Sequence, residues 1–159
     1  MHTKNRLNEL ISHLQNQSSA LVLQDVKKQL SHQHCMICGT NSLLGLNLNF
    51  YSDENKSVWG LFKGNIHQQG YKGILHGGFL SALLDAGMCQ AIFNQDVEAV
   101  TADMNIRFLH EVDCNSEMLI KGEVVSRSSI LYKVKASIFV DSKLVVKAEA
   151  RFMKKSVKK

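Results

Sequence analysis

Along this chain the spacing of apolar side chains changes period more than once, and each change predicts a different element. Over residues 1–31 the spacing is helical. Leu7, Leu10, Ile11 and Leu14 share one face, and Leu23, Val26 and Leu30 share another, with the polar break "QNQSS" between them. The segment reads as an amphipathic helical appendage that covers the body or contacts a partner. After the loop "CMICGTNS" the period falls to two. Leu44, Leu46, Leu48 and Phe50 alternate with Gly45, Asn47 and Asn49, the pattern of a half-buried strand. "SDENK" is a turn cluster, and "SVWGLFKG" returns as a second strand.

A different pattern follows. "GILHGGFLSALLDAGMCQAIF", residues 73–93, is apolar on nearly every face and predicts a long buried helix. From Val100 the period is two again. Val100, Ala102, Met104, Ile106 and Phe108 point one way, and Thr101, Asp103, Asn105 and Arg107 the other. "SEMLIKGEVVS", "ILYKVKASIFV" and "KLVVKAEARFM" repeat the alternation, and the short turns near Asn115, Arg127 and Asp141 favour antiparallel neighbours. No proline interrupts a strand. The sum is two strands, one buried helix, then four strands. A helix apolar all round must be enclosed, and a single sheet covers only one side of it. A second copy of the chain is the simplest cover.

Composition narrows the class without naming a function. At 159 residues, with 45% apolar and 21% charged positions, the chain reads as one soluble domain with a core of its own. The first residues hold no continuous apolar stretch, and no run approaches the roughly 20 residues of a membrane span. A cytoplasmic protein is expected. The formal charge of +5 owes much to four lysines in the closing "KKSVKK". Without that short solvated tail the chain is close to neutral, and no nucleic-acid motif accompanies it. The domain reading is an appendage at 1–31, the main domain at 32–154 and a basic tail at 155–159. Cys35, Cys38, Cys89 and Cys114 form no disulfide framework and read as thiols.

Candidate chemistry centres on the helix. "GYKGILHGGFLSALLDAG", followed by "AVTADMNIRFLHEV", resembles the hotdog-fold acyl-CoA thioesterases of the PaaI-like group. The shared pattern is H-G-G-x(6)-D, a buried helix, then T-A-x-x-N-I-R-F. The upstream "CMICGTNSLLGLNLNF" is similar to a C-x-x-C-G…G-L segment of that group, with Ser42-Leu43 where many members carry Asn-Pro. The resemblance spans about residues 35–153. It implies an α+β hotdog fold: a long central helix wrapped by a curved antiparallel sheet of about six strands. It also implies a homodimer, or a dimer of dimers, and hydrolysis of an acyl-CoA to free acid and CoA. In that scheme the Gly77 N–H receives the thioester oxygen, Asp85 is general base or nucleophile, and Thr101 positions the attacking water. No cofactor beyond the substrate's own CoA is implied, and neither nucleic acid nor membrane is an expected partner.

The residues support the same assignment by another route. A helix start gathers free N–H groups and the positive dipole end, which suits a developing oxyanion. Gly77 and Gly78 let a carbonyl approach the backbone closely. Asp85, among Leu83, Leu84, Ala86 and Met88, is expected to be desolvated and so a stronger base. A thiolate leaves without much help, since thiols ionise near ~8.5. Gly77 and Asp85 are eight residues apart, about 12 Å along one helix. Reacting groups must converge to roughly 3–3.5 Å, so if both act they come from different subunits.

Other constellations are weaker. His76 anchors the loop or touches substrate; Gly78, Gln69 and Tyr71 lie at the expected mouth; Arg127, in the "SRSS" turn, could meet a CoA phosphate. His32, His34, Cys35 and Cys38 include a Cys-x-x-Cys-Gly knuckle, but a second cysteine pair is missing, and the expectation is a packed turn with no metal. Cys89 reads as an inert core thiol. No G-x-S-x-G, Walker or H-E-x-x-H motif is present. Two other readings stay open: a non-catalytic acyl-CoA-binding or sensing protein of this fold, and a hydratase, which would normally pair its acid with a histidine.

Overall fold

The longest apolar run folds into a helix, and the strands around it belong to one sheet. The computed structural model describes residues 2–155. Helix α1 (His2–Gln15) is followed by a two-residue strand, β1 (Gln24–Asp25), then β2 (Phe50–Ser52) and β3 (Val58–Lys63). The central helix α2 (Gly77–Phe93) leads to β4 (Ala99–Phe108), β5 (Glu117–Arg127), β6 (Leu131–Val140) and β7 (Lys143–Lys154). The spatial order is β1-β2-β3-β5-β6-β7-β4, antiparallel throughout. The chain between β3 and β5 thus crosses the sheet through α2, and β4 lands at the far edge beside β7.

Alternation along the strands explains how both sheet faces are used. Phe50, Val58 and Ile120 turn towards α2 and join Leu83, Leu84, Met88 and Ile92 in the main core. Their neighbours Tyr51, Trp59 and Leu119 turn the other way and receive Leu7 and Ile11 of α1. Each fully buried side chain of this size contributes about 1.5–3 kcal/mol. At the β6–β7 hairpin, Asp141 and Ser142 both have positive φ (48° and 62°), as a tight two-residue turn between twisted strands requires.

Two expectations are corrected. The second helical face at Leu23, Val26 and Leu30 does not form: this stretch is extended, contributes β1, and supplies the seventh strand. Val26 donates its N–H to Phe50 O (3.1 Å) and is buried, while Leu30 is 84% exposed. Pairing with the open edge of β2 outweighs the helical spacing. The strand expected from Leu44 begins only at Phe50. Asn47 sits at φ 47°, which breaks an extended run, and Leu46 and Leu48 bond instead to Met36 O and Ile37 O. Leu43 and Leu44 are left exposed. Of the tail at 155–159 only Lys155 is described, and it reaches Glu98 (3.5 Å); the other positions lie outside the described residues.

Candidate active site

Asp85 lies midway along α2 and faces β4. Thr101 Oγ1 donates a hydrogen bond of 2.7 Å to Asp85 Oδ1. Strict alternation would have put Thr101 on the face opposite Met104 and Ile106. A β-bulge between Thr101 and Asp103 inserts Ala102 as an unmatched residue, since Thr101 pairs with Phe152 and Asp103 with Arg151. The bulge resets the parity, so Ala99 and Thr101 share the helix-facing side with Met104 and Ile106. Asp85 itself is half-buried rather than sealed among leucines as expected. No other hydrogen bond to its carboxylate is found among the described residues.

The helix start is built by His76. It occupies the N-cap with extended backbone (φ −66°, ψ 132°), and its Nδ1 accepts from Gly78 N–H at 2.8 Å. Its carbonyl takes Phe79 N–H and Leu80 N–H. Gly77 N–H is left without an acceptor among the described residues, at the positive end of the helix. Ser81 does not reach Asp85; its hydroxyl donates to Gly77 O (2.7 Å). Phe108, at the far end of β4, packs against Gly77. Leu75 N–H to Val112 O (2.8 Å) ties the loop before the helix to the segment after β4. Between them is a cleft of about 340 Å³ lined by Tyr71, Gly77, Leu80, Phe108, His110 and Glu111, among others. Asp85 is not part of it.

The remaining predicted residues are dispersed. Tyr71 is 86% exposed at the mouth of the Gly77 cleft. Gln69 turns inward on its own loop and accepts Gly73 N–H (3.2 Å). Arg127 lies at the other end of α2, where it donates to Gln95 Oε1 (3.1 Å) in a cleft of about 550 Å³ shared with Lys56, Asn94 and Ser126. Leu109, His110, Glu111 and Val112 also line the Gly77 cleft and were given no role from sequence; only their place after a strand of the right length could have marked them. Cys89 is a core thiol pushed up by burial, with Asp85 adding to the shift. Burial likewise raises Cys38 to about 12, with Cys35 contributing. His32, Cys35 and Cys38 gather with their ligating atoms within 4.8 Å of one another, whereas His34 stays outside.

An antiparallel sheet curved around one long helix, with an acid at the helix middle and a free amide at its start, defines the hotdog class. Residues 72–147, just under half of the chain, match the family model described as Thioesterase superfamily. Rat acyl-coenzyme A thioesterase THEM4 is 31% identical over 77 residues, which are 47% of this chain and 32% of the rat protein. The match thus spans about a third of that relative. The structure of smu.793 from Streptococcus mutans bound to acetyl CoA aligns with a TM-score of 0.65 at 22% identity, over 71% of this chain and 92% of that one. The Escherichia coli PaaI protein aligns with a TM-score of 0.65 at 17% identity, over 70% and 81% respectively. At these identities the two structures bear on the fold, and the PaaI-like resemblance read from the motif holds at that level.

Proposed function

We propose that the protein hydrolyses an acyl-CoA thioester to a free acid and CoA. The observation that carries this reading is the Asp85 carboxylate, held by the Thr101 hydroxyl and with its second oxygen free. Thr101 fixes the rotamer, so that Oδ2 takes a proton from water as general base or attacks the thioester carbon as nucleophile. The Gly77 N–H receives the oxygen as it becomes an oxyanion. With a thioester the leaving thiolate needs no dedicated acid. His76 serves by capping, which engages Gly78 N–H and leaves Gly77 N–H for the substrate.

The helix separates Gly77 from Asp85 by about 12 Å, and the cleft at Gly77 excludes the acid. A homodimer resolves this, with one subunit supplying the carboxylate and the other the amide. The outer edge of β4 supports it: the strand ends the sheet, and Val100 (56%) and Phe108 (52%) are exposed along it. A ten-residue strand with one side unpaired offers a row of free backbone groups for pairing. The Tyr71 cleft would take the thioester end of the substrate, while Arg127 and Lys56 supply positive charge suited to CoA phosphates.

The test is a thiol-trapping assay over a panel of acyl-CoAs with wild type and Asp85→Asn. At least one substrate should release CoA, and the variant should lose roughly 10²–10⁴-fold while keeping its fold. Undiminished turnover in Asp85→Asn would refute the assignment. Acyl-CoA binding by wild type with no thiol released would favour a sensor instead.

A further inference from the structure

The turn at residues 32–39 holds a second constellation that the thioester chemistry leaves unused. Three potential ligand atoms, one on the His32 imidazole and the Sγ atoms of Cys35 and Cys38, lie within 4.8 Å of one another. A tetrahedral zinc ion with Zn–S bonds of about 2.3 Å would hold its sulfurs about 3.8 Å apart. The set therefore needs to contract by at most about an ångström, which side-chain rotation can supply.

The backbone is already shaped for the purpose. Ile37 N–H points at Cys35 Sγ (3.4 Å), Gly39 N–H bonds to Cys35 O (2.9 Å), and Cys35 N–H bonds to His32 O (3.0 Å). Gly39 has no substitute, because a Cβ there would lie 2.5 Å from both Cys35 N and Gln33 O. The turn folds so tightly that its two sulfurs converge.

The most telling contact comes from the central helix. Gln90, 2% exposed, donates Nε2–H to Cys38 Sγ at 3.2 Å. A neutral thiol is a weak acceptor, so a buried amide spent on one is poorly satisfied. A metal-bound thiolate is a strong acceptor and makes the placement of Gln90 intelligible. Ile37 N–H serves Cys35 in the same way. His32 is oriented by an edge-on contact with Phe93, ring centres 5.1 Å apart.

We propose that His32, Cys35 and Cys38 bind one zinc ion, with Gln90 and the Ile37 amide as the groups that orient and stabilise its thiolate ligands. Each thiol releases its proton to solvent on binding, and the fourth position is open to water. One imidazole and two thiolates suit zinc above the oxygen-seeking divalent ions. The ion closes the 32–39 turn, which the Gln90 contact with Cys38 joins to the C-terminal half of α2. It has no part in the proposed hydrolysis.

Cobalt(II) is the probe, titrated into full-length protein stripped of metal and kept under reductant. Thiolate-to-cobalt charge-transfer and tetrahedral d–d bands should rise to one equivalent per chain and vanish on adding zinc. His32→Gln and Cys35→Ser, both at half-buried positions, should abolish the bands, and His34→Gln should keep them. Gln90→Leu should weaken binding roughly 10- to 100-fold with the spectrum retained. No charge-transfer band in folded wild type, or unchanged binding in His32→Gln and Cys35→Ser, would overturn the proposal.

Discussion

Gly77→Pro isolates one atom of the proposed mechanism. Gly77 is the first helical residue, where proline is well tolerated because its N–H has no partner within the helix. His76, at φ −66° and ψ 132°, already has the backbone that a residue before proline adopts. A Cβ at 77 would lie 3.4 Å from Phe108 Cζ, an ordinary contact with the ring. The substitution therefore removes the free N–H and leaves the His76–Gly78 cap in place. Loss of one oxyanion donor costs about 10²–10³-fold in kcat. The assay is CoA release by thiol trapping, with circular dichroism and thermal melting as controls for the fold. Mixing then tests where the two groups meet. If Gly77→Pro and Asp85→Asn subunits are co-refolded in equal amounts, half of the dimers are mixed, and each mixed dimer has one complete site. Activity should recover to about a quarter of wild type. No recovery would refute a site shared between subunits, and a folded Gly77→Pro enzyme of wild-type rate would refute the amide's role.

Thr101→Val keeps the β-branched shape but removes the donor to Asp85; kcat should fall roughly tenfold, the kinetic equivalent of a hydrogen bond to a charged group, with melting little changed. A wild-type kcat in that variant would mean Thr101 does not orient the acid. Ile11→Ala empties the contact between α1 and the outer sheet face and should cost about 2–5 kcal/mol in urea unfolding. A loss under ~1 kcal/mol would show that α1 is loosely docked. Glu123 has its carboxyl held below the ordinary range: burial opposes this, but the ion pairs with Lys135 (2.9 Å) and Lys121 (3.0 Å) prevail. Because the folded value is the lower one, its stabilisation is present above the unfolded value of about 4.3 and is lost as pH falls through the folded value. Wild type should therefore exceed Glu123→Gln in stability at neutral pH and converge with it in acid, as read from melting temperature against pH.

The central helix and the four strands after it were legible because their patterns are long and their burial is one-sided or complete. The N-terminal third was harder for a physical reason. Between Leu23 and Phe50 the chain first runs along the sheet edge at Gln24–Val26 and then turns over the end of α2 at residues 32–39, so what each residue does depends on what passes beside it. Val26 is buried because Phe50 offers a carbonyl, not because of its spacing from Leu23 and Leu30. The site was legible as residue types, from His76-Gly77-Gly78 and Asp85, but not as geometry. Period-two reading assigned Thr101 to the wrong face because one extra residue, Ala102, is invisible to alternation until the partner strand is known. The same limit applied at Cys38, whose approach by Gln90, 52 residues further along, depends on long-range packing.

β4 gives the proposed two-subunit site a definite geometry. Its Thr101 end lies beside Asp85 and its Phe108 end beside Gly77, so the strand runs antiparallel to the first half of α2. An antiparallel pairing of two such edges about a twofold axis through Asn105, with the bulge residue Ala102 left unmatched, sets Thr101 of one copy opposite Phe108 of the other. The carboxylate of one subunit then faces the helix start of its partner, and symmetry repeats the arrangement at the other end of the seam. Eight residues of helix, a separation that no single chain can close, become the distance between two equivalent sites. A strand left unpaired at the edge, a carboxylate left half open and an amide left without an acceptor are three incomplete features of one chain, and this single pairing would complete them together.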